Sequence, residues 1–349
     1  MPIINNKTLL IYKYTCKEAI IILFNSILIL IFLIGLNYFL YTKKYKSLKL
    51  FVIATIFLIA YFLIALIIYN NNIYNGYEYG ILYGDVFDSH FCDEYRYYID
   101  SNILLDHFKN GEFSQWLLRE LPSYEFIDSH GHPGFGNYNL FVILLTLLKL
   151  IGINDTLELI TLKLVVYIPT IIVLYKLSIL YLNEKYSLLS VIIYSLLPGY
   201  ILTNSLLMRD NLIVLLTLVC IYYILSKSFN LHVLIPILIV LTLLRPYMVA
   251  ILIVTFIFCY KNTKKIISKL DIIYIFIILG SIVFFSSFNF NSEQMRILQE
   301  RFDIFFGSSL MAPIRVCINT IIHVIYDPPY LSFLTSNIIY LIIFSLGNI

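Results

Sequence analysis

Acidic side chains that could carry out chemistry are concentrated in one short segment of a very apolar chain. The segment GDVFDSHFCDEYR, at residues 84–96, contains the carboxylates Asp85, Asp88, Asp93 and Glu94. Such groups could act as a general base or hold a divalent cation. His90 and Cys92 would also suit a metal, although the sequence has no CxxC or similar zinc spacing. The alternative is a solvated loop whose acids only follow the charge asymmetry across a membrane.

A second polar motif holds two histidines in a turn-forming sequence. His130 and His132 lie in DSHGHPGFGNYN, at residues 128–139. Their spacing could bind a metal, but Pro133 and Gly134 favour a tight loop that leads the chain into the next apolar run. The acids and histidines together permit a divalent metal without requiring one.

Two arginines lie within apolar runs, where an ionised side chain is unfavourable by about 2.5–3.5 kcal/mol. Arg209 precedes Asp210, and Arg245 precedes Pro246. Ionisable residues in such runs mark a functional cavity or a buried ion pair. A guanidinium beside a proline-broken helix would suit a phosphate group, because its planar fork matches the phosphate oxygens. The alternatives are a structural ion pair at a membrane boundary for Arg209 and Asp210, and a surface turn between two spans for Arg245.

The composition shows what kind of fold must hold these residues. The 349 residues are 60% hydrophobic and 13% charged, with a mean hydropathy of +0.87, whereas soluble domains carry about 25% charged residues. A soluble globular protein is therefore excluded. A net charge of +3 with no basic stripe provides no footprint for nucleic acid.

Apolar runs of the length of membrane helices recur along the whole chain. A span needs about 20 apolar residues. The runs lie at residues 19–41, 50–69, 140–153, 157–182, 188–202, 211–225, 231–260, 272–288, 311–326 and 331–346. We therefore predict an all-α fold, a polytopic helical protein of the cell (inner) membrane with about 9–11 spans.

Lysine clusters predict the orientation of these spans. Under the positive-inside rule, the clusters at residues 43–49 and 261–269 are cytoplasmic. The segment at 70–138, with 11 of the 21 acidic residues, then forms a large external loop. Apolar spacing between Asp93 and Gly111 predicts an amphipathic helix on the membrane surface within this loop.

Span counting places Arg209 and Asp210 on the cytoplasmic side, away from the acidic loop. They would face outward if residues 188–197 form a half-span that turns back at Pro198 and Gly199. We favour this reversal, since irregular backbone at membrane depth is tolerated where it lines protein or water.

These features divide the chain into three parts. Residues 1–49 form an additional N-terminal span and a basic cytoplasmic loop, and residues 50–260 form a membrane module with the external loop at 70–138. Residues 261–349 add C-terminal spans and an external amphipathic helix at 289–312, whose charges pair at helical spacing. No internal repeat of fixed period is present, which argues against a transporter built from inverted repeats.

The order of the motifs resembles the GT-C superfamily of integral-membrane glycosyltransferases, in particular the branch of protein O-mannosyltransferases and lipid A aminoarabinose transferases. In that branch an external loop opens with an Asp-Glu pair and an Arg-Tyr-like segment before a surface helix, as in Asp93-Glu94-Tyr95-Arg96-Tyr97 followed by residues 99–113. The loop closes with a basic residue or histidine before proline, as in His132-Pro133-Gly134-Phe135. An acid at the start of a later span is similar to Asp210 after Pro198-Gly199.

The resemblance, which covers about residues 50–225, implies a glycosyltransferase active on the extracytoplasmic side. It would move a sugar from a polyprenyl-phosphate carrier, among membrane lipids, to a lipid-linked or cell-surface glycan acceptor. Asp93 would deprotonate the acceptor, and Glu94 or Asp210 would orient it. The residues implied in binding substrate and phosphate are Arg96, Tyr97, His132, Arg209 and Arg245. No cofactor and no metal are required in this branch.

Other functions fit the same sequence. A polymerase that joins lipid-linked repeat units also has many spans, a large external loop and important arginines, and it would release a diphosphate instead of a monophosphate carrier. A flippase or transporter of lipid-linked saccharides would tolerate loss of the Asp93 carboxylate without losing any linkage chemistry. In a structural membrane subunit, the substitutions Asp93→Asn and Arg245→Ala would change only the stability of the protein.

Overall fold

A computed structural model describes most of the first 250 residues of the chain. The described residues are 16–44, 47–74, 77–81, 93–127, 134–226, 231–245, 248–249 and 252. Within them the chain is all-helical and has no β-strand. One compact unit comprises Met1–Leu196 and Tyr200–Asn262, and a second comprises Leu197–Gly199 and Thr263–Ile349. The predicted C-terminal spans and the helix at 289–312 lie outside the described residues.

Eleven α-helices are present in the part of the chain that the structure describes. In chain order they are α1 (Cys16–Tyr38), α2 (Leu48–Tyr74), α3 (Asp93–Lys109), α4 (Phe113–Leu117), α5 (Leu140–Leu150), α6 (Thr156–Lys163), α7 (Tyr167–Ile179), α8 (Glu184–Ser195), α9 (Pro198–Ser205), α10 (Asp210–Leu225) and α11 (Leu231–Leu244). A single 3₁₀ turn, Leu164–Val166, joins α6 to α7.

Three of these helical segments are long and apolar enough to cross a membrane. They are Ala19–Tyr41, Leu48–Tyr74 and Thr156–Ile179. The helices α8 and α9 meet at a bend of 62° and pass the same test together, as a broken span or a re-entrant segment. The predicted membrane character is thus supported by at least three helices.

Short polar side chains set the starts of three helices. Each is an asparagine or aspartate in extended backbone that accepts a hydrogen bond from an N–H of the first turn, which would otherwise lack a partner. The capping residues are Asn139 for α5, Asp155 for α6 and Asn183 for α8.

A cluster of tyrosines joins α2, α7 and α8 in the interior. The rings of Tyr61 and Tyr167 meet edge to face, with centroids 5.0 Å apart. The hydroxyl of Tyr61 donates to the carbonyl oxygen of Ser195 at 2.7 Å, and the hydroxyls of Tyr167 and Ser195 lie 2.9 Å apart. Buried hydroxyls are favourable here because each has a hydrogen-bond partner.

Two polar contacts mark opposite ends of α2. Near its start, Lys49 Nζ lies 3.1 Å from Glu184 Oε1 at the start of α8. Near its end, the hydroxyl of Tyr69 donates to Asp155 Oδ2 at 3.0 Å, at the start of α6. The segment Thr156–Ile179 therefore runs antiparallel to α2, and α8 runs parallel to it.

The run at residues 140–153 does not form the span that we predicted. Helix α5 has 11 residues and is about 16 Å long, roughly half the bilayer core. One turn of α3 contacts both of its ends, since Tyr97 packs on Phe141 and the carbonyl of Tyr98 accepts a hydrogen bond from Lys149. Composition alone did not distinguish this short packed helix from a crossing.

This shorter helix changes where Arg209 and Asp210 lie. Helix α5 is too short to cross a membrane alone. The next long segment, Thr156–Ile179, starts beside the end of α2 that leads into the acidic loop. After α9, the backbone N–H of Leu207 donates to the carboxylate of Glu94 in α3. Arg209 and Asp210 therefore lie beside α3. The reversal at Pro198 and Gly199 stays a prediction, because the bend between α8 and α9 fits a broken span or a re-entrant segment.

Candidate active site

The start of α3 and the start of α10 bring four predicted site residues together. Asp93 and Glu94 are in the first turn of α3, and Asp210 is in the first turn of α10. Acids are favourable at these positions because helix N-termini carry partial positive charge. Arg209 directly precedes α10, and its charge acts on the carboxylate of Asp93.

Two ion pairs organise the charges of the site. Arg245 Nη2 lies 2.9 Å from Asp210 Oδ1, with side chains 29% and 25% exposed. Arg96 Nη1 lies 3.7 Å from Asp93 Oδ1, one turn along α3. Helix α11 ends at Leu244, as the predicted break before Pro246 requires. Arg245 is thus paired with Asp210 within the site.

An aromatic pair supports two of the arginines. The rings of Tyr97 and Phe135 are stacked, with centroids 4.0 Å apart. The guanidinium of Arg96 lies 4.2 Å from the Phe135 centroid, and that of Arg209 lies 5.3 Å from it. A guanidinium stacked on a ring face directs its N–H groups along its planar edge, where two of them can donate to two oxygens of a tetrahedral phosphate.

Asp100 holds Phe135 in this position. Its carboxylate is 2% exposed and accepts hydrogen bonds from the backbone N–H groups of Phe135 and Gly136. Gly134 lies so close to the same carboxylate that a Cβ atom would overlap it. Gly136 has a φ of +83° and faces the carbonyl of Ser123, which is a conformation that favours glycine.

Burial and nearby charges oppose each other at Asp93. Burial raises the pKa of its carboxyl, the nearby Arg96, Arg209 and Arg245 lower it, and Asp210 raises it again. The net result is a pKa above the ordinary aspartate value. A raised pKa makes a carboxylate a stronger general base, provided that it is still ionised at the working pH.

The hydroxyl of Tyr97 and Nε of Arg209 are buried donors that have no hydrogen-bond partner among the described residues. Tyr97 is 1% exposed, and the charges of Asp93, Arg209, Asp210 and Arg245 all act on it. Buried polar groups are nearly always paired, so donors of this kind point to a ligand or water that accepts from them.

The structure describes seven of the eight residues predicted for the site and brings them to one place. They are Asp93, Glu94, Arg96, Tyr97, Arg209, Asp210 and Arg245. The eighth, His132, lies outside the described residues, as do the other members of the two motifs that could bind metal: Asp85, Asp88, His90, Cys92 and His130. Among the described residues, no three His, Cys, Asp or Glu side chains form a group that could hold a metal ion.

Glu94 lies deeper than the other acids of the site. It is 1% exposed, and its carboxylate accepts the backbone N–H of Leu207. This contact suits a residue that holds the chain before Arg209. Glu94 is therefore less suited to direct contact with an acceptor hydroxyl.

Sequence reasoning missed three residues that organise the site. Lys163 was not singled out, although a lysine inside an apolar run is a signal of the same kind as Arg209. Asp100 follows Asp93 by seven residues on the same face of α3, which could have indicated it. Phe135 was quoted only as part of a motif, because its role depends on a loop whose path the sequence does not specify.

No known protein-family model, curated protein or solved structure matches this chain.

Proposed function

We propose that the protein is a membrane glycosyltransferase that uses a polyprenyl-phosphate sugar as donor and acts on the extracytoplasmic side of the cell membrane. The observation that carries this proposal is the convergence of Asp93 and Asp210 with Arg96, Arg209 and Arg245 around an aromatic pair. One carboxylate of raised pKa beside several guanidinium groups matches the two needs of glycosyl transfer from a phosphate. These needs are a base for the acceptor and positive charge for the leaving group.

The proposed step is a single displacement at the anomeric carbon. Asp93 takes the proton of the acceptor hydroxyl while that oxygen forms a bond to the anomeric carbon. The bond between this carbon and the phosphate oxygen breaks, and its electron pair leaves with the polyprenyl phosphate. The products are the glycosylated acceptor, the carrier monophosphate and a proton on Asp93. This chemistry needs no resident cofactor.

The arginines take different parts in this step. Arg96 and Arg209 both lie on the ring of Phe135, so their positive charges act together on the phosphate whose negative charge grows as the bond breaks. The hydroxyl of Tyr97 supplies one more donor to the same anion. Arg245 is paired with Asp210 and orients that carboxylate toward the acceptor.

The proposed orientation follows from the lysines. The end of α2 that carries Lys49 belongs to the basic cluster assigned to the cytoplasm. The opposite end, next to Asp155, then faces outward, together with the loop that carries α3. Sugars on lipid carriers suit an enzyme on that side, because nucleotide sugars stay in the cytosol. The prenyl tail would lie among the apolar helices and the surrounding lipids, and the full chain would have about 9–11 spans.

The test is a glycan profile of a deletion strain that carries wild-type protein, Asp93→Asn or Asp106→Asn. Asp106 is exposed on the same helix and serves as the matched control. We expect wild type and Asp106→Asn to restore one glycan that Asp93→Asn does not. Normal glycans with Asp93→Asn would exclude Asp93 as the base. If that variant keeps the sugar linkage but leaves the product on the cytoplasmic side, the protein is a flippase.

The shared site is tested by thiol labelling of intact cells. A cysteine that replaces Met208, next to Arg209 and Asp210, should react with a membrane-impermeant reagent, as Cys92 should. A membrane-permeant reagent first shows that the new cysteine is reactive. If the impermeant reagent then labels Cys92 but not the new cysteine, the two residues do not share an outward-facing site.

A further inference from the structure

A buried lysine at the base of the site makes contacts that the proposed reaction does not use. Lys163, in the last turn of α6, is 8% exposed. Its Nζ donates to the carbonyl oxygens of Thr203, at 2.5 Å, and of Leu206, and it lies 3.4 Å from that of Met208. All three carbonyls belong to the end of α9 or to the turn that follows it.

The turn held by Lys163 leads directly to two residues of the site. Residues 206–208 are not α-helical and connect α9 to Arg209 and Asp210. The last carbonyls of a helix have no partner within it, and a cation placed there is favourable because the C-terminus carries partial negative charge. A lysine from α6 therefore caps α9 from outside the helix.

The turn is also held from its other side, by Glu94. The N–H of Leu207 donates to the Glu94 carboxylate, whereas the carbonyl of the preceding residue, Leu206, accepts from Lys163. Glu94 and Asp210 are the acids whose charges act on Lys163. The lysine thus lies among backbone carbonyl oxygens and the charges of two acids, one of them a residue of the proposed chemistry.

We propose that Lys163 is a positioning residue, a tethered ammonium ion that fixes the turn at 206–208 and so sets the positions of Arg209 and Asp210. Its effect on transfer rests on the proposed function, but its effect on the turn does not. Three carbonyl oxygens lie within reach of Nζ, which matches the three N–H donors of an ammonium ion, and a side chain of similar size without donors cannot supply them.

A second buried lysine provides a matched control. Lys149 in α5 is 3% exposed and also donates to three oxygens, which belong to Tyr98, Ser101 and Asn102 of α3. Its acceptors are one backbone carbonyl, one hydroxyl and one side-chain amide oxygen, and it does not hold the turn at 206–208. Its loss should loosen residues 98–102 and leave that turn unchanged.

The test compares Lys163→Ala, Lys163→Met and Lys149→Ala in lipid nanodiscs, with hydrogen exchange at residues 203–209 as the first measurement. We expect exchange there to rise by at least about tenfold in both Lys163 variants, because local protection falls when a turn loses its hydrogen bonds. Propylammonium should restore protection to Lys163→Ala, whose cavity admits it. It should not restore Lys163→Met, whose side chain fills the space, and tetramethylammonium, which has no N–H donor, should restore neither.

Unchanged exchange at 203–209 in a folded Lys163→Met would overturn the proposal, and so would equal rescue by propylammonium and tetramethylammonium. Transfer activity is the second measurement. Lys163→Ala should lose about 100-fold in kcat/KM, as when a transition-state donor is displaced, and propylammonium should recover at least tenfold. If wild-type protein shows no transfer, the proposed function fails, and the exchange result still decides whether Lys163 holds the turn.

Discussion

Arg245 at the end of α11 lies 2.9 Å from Asp210 at the start of α10, and this ion pair joins the two helices at the site. The two side chains are 29% and 25% exposed, so the pair is neither a surface salt bridge nor a fully desolvated one. It brings together two polar residues from separate apolar runs. Two ionisable residues at membrane depth are tolerated when they pair with each other.

A double-mutant cycle should find these two residues coupled in catalysis. We expect Asp210→Asn and Arg245→Gln to lower kcat/KM separately, and the double variant to lose less than the sum, with a coupling of about 1 kcal/mol. The control is the exposed pair Lys49 and Glu184 at the other end of α2, which should show no coupling in kcat/KM. Additive effects at Asp210 and Arg245 would mean that the pair does not act as a unit.

The acid limb of the pH profile should report Asp93. Its pKa is raised above 3.8, first by burial, and Arg96 makes the largest opposing contribution. The reaction needs the ionised carboxylate, so activity should fall as pH decreases through this raised pKa. Arg96→Gln removes a positive charge, raises the pKa further and should move the acid limb of kcat/KM to higher pH.

The matched variant for this measurement is Arg96→Lys, which keeps the charge and should leave the acid limb close to that of wild type. An acid limb that is identical in Arg96→Gln and wild type would show that another group controls the profile.

Gly134→Ala should weaken donor binding and also slow transfer. The added Cβ would overlap the carboxylate of Asp100 and shift Phe135, which supports the guanidinium groups of Arg96 and Arg209. We expect kcat/KM to fall at least about tenfold, with kcat falling as well as the KM for the donor rising, because these guanidinium groups meet the phosphate charge that grows in the transition state. Gly35→Ala is the control, because a Cβ there meets open space. Equal kinetic parameters for both variants would show that the position of Phe135 does not affect the arginines of the site.

The sequence was sufficient to predict the charged residues of the site but not how they meet. Asp93, Arg96, Arg209, Asp210 and Arg245 could be singled out because ionisable groups are rare in so apolar a chain. Their convergence depends on the short helix at Leu140–Leu150, and an apolar run of that length is compatible with either a crossing or a packed helix. The reversal predicted at Pro198 stays a prediction, because the 62° bend there fits either a broken span or a re-entrant segment.

The supporting contacts were beyond sequence reasoning for a different physical cause. Lys163 binds backbone carbonyls. Because any residue type has a backbone carbonyl, no pattern of side chains in the sequence indicates which residues Lys163 contacts. Asp100 binds the N–H groups of a loop about 35 residues further along the chain. Such contacts depend on loop path, which glycines at 134 and 136 permit without specifying.

A histidine at the far end of α3 should make stability depend on pH. His107 Nε2 lies 2.7 Å from Glu125 Oε1, and Nδ1 contacts Glu112. Desolvation lowers the pKa of His107, but the hydrogen bonds to these two carboxylates outweigh it and raise the pKa above 6.5. The stabilisation is therefore complete below about pH 6.5 and is lost as pH rises through the raised pKa.

This dependence is measured as the difference in Tm between wild type and His107→Gln. The difference should be largest near pH 6 and should shrink toward pH 9, because only the protonated imidazole donates to both carboxylates. A difference that stays constant over this range would mean that His107 contributes packing and no charge.

The most direct test of the central claim is the identity of the carrier that purified protein in nanodiscs releases from lipid-linked sugar donors. We expect polyprenyl monophosphate, formed together with a glycosylated acceptor by wild type and by Asp106→Asn, and at least about 100-fold less of it with Asp93→Asn. Release of a polyprenyl diphosphate, or equal release by the Asp93→Asn variant, would contradict it.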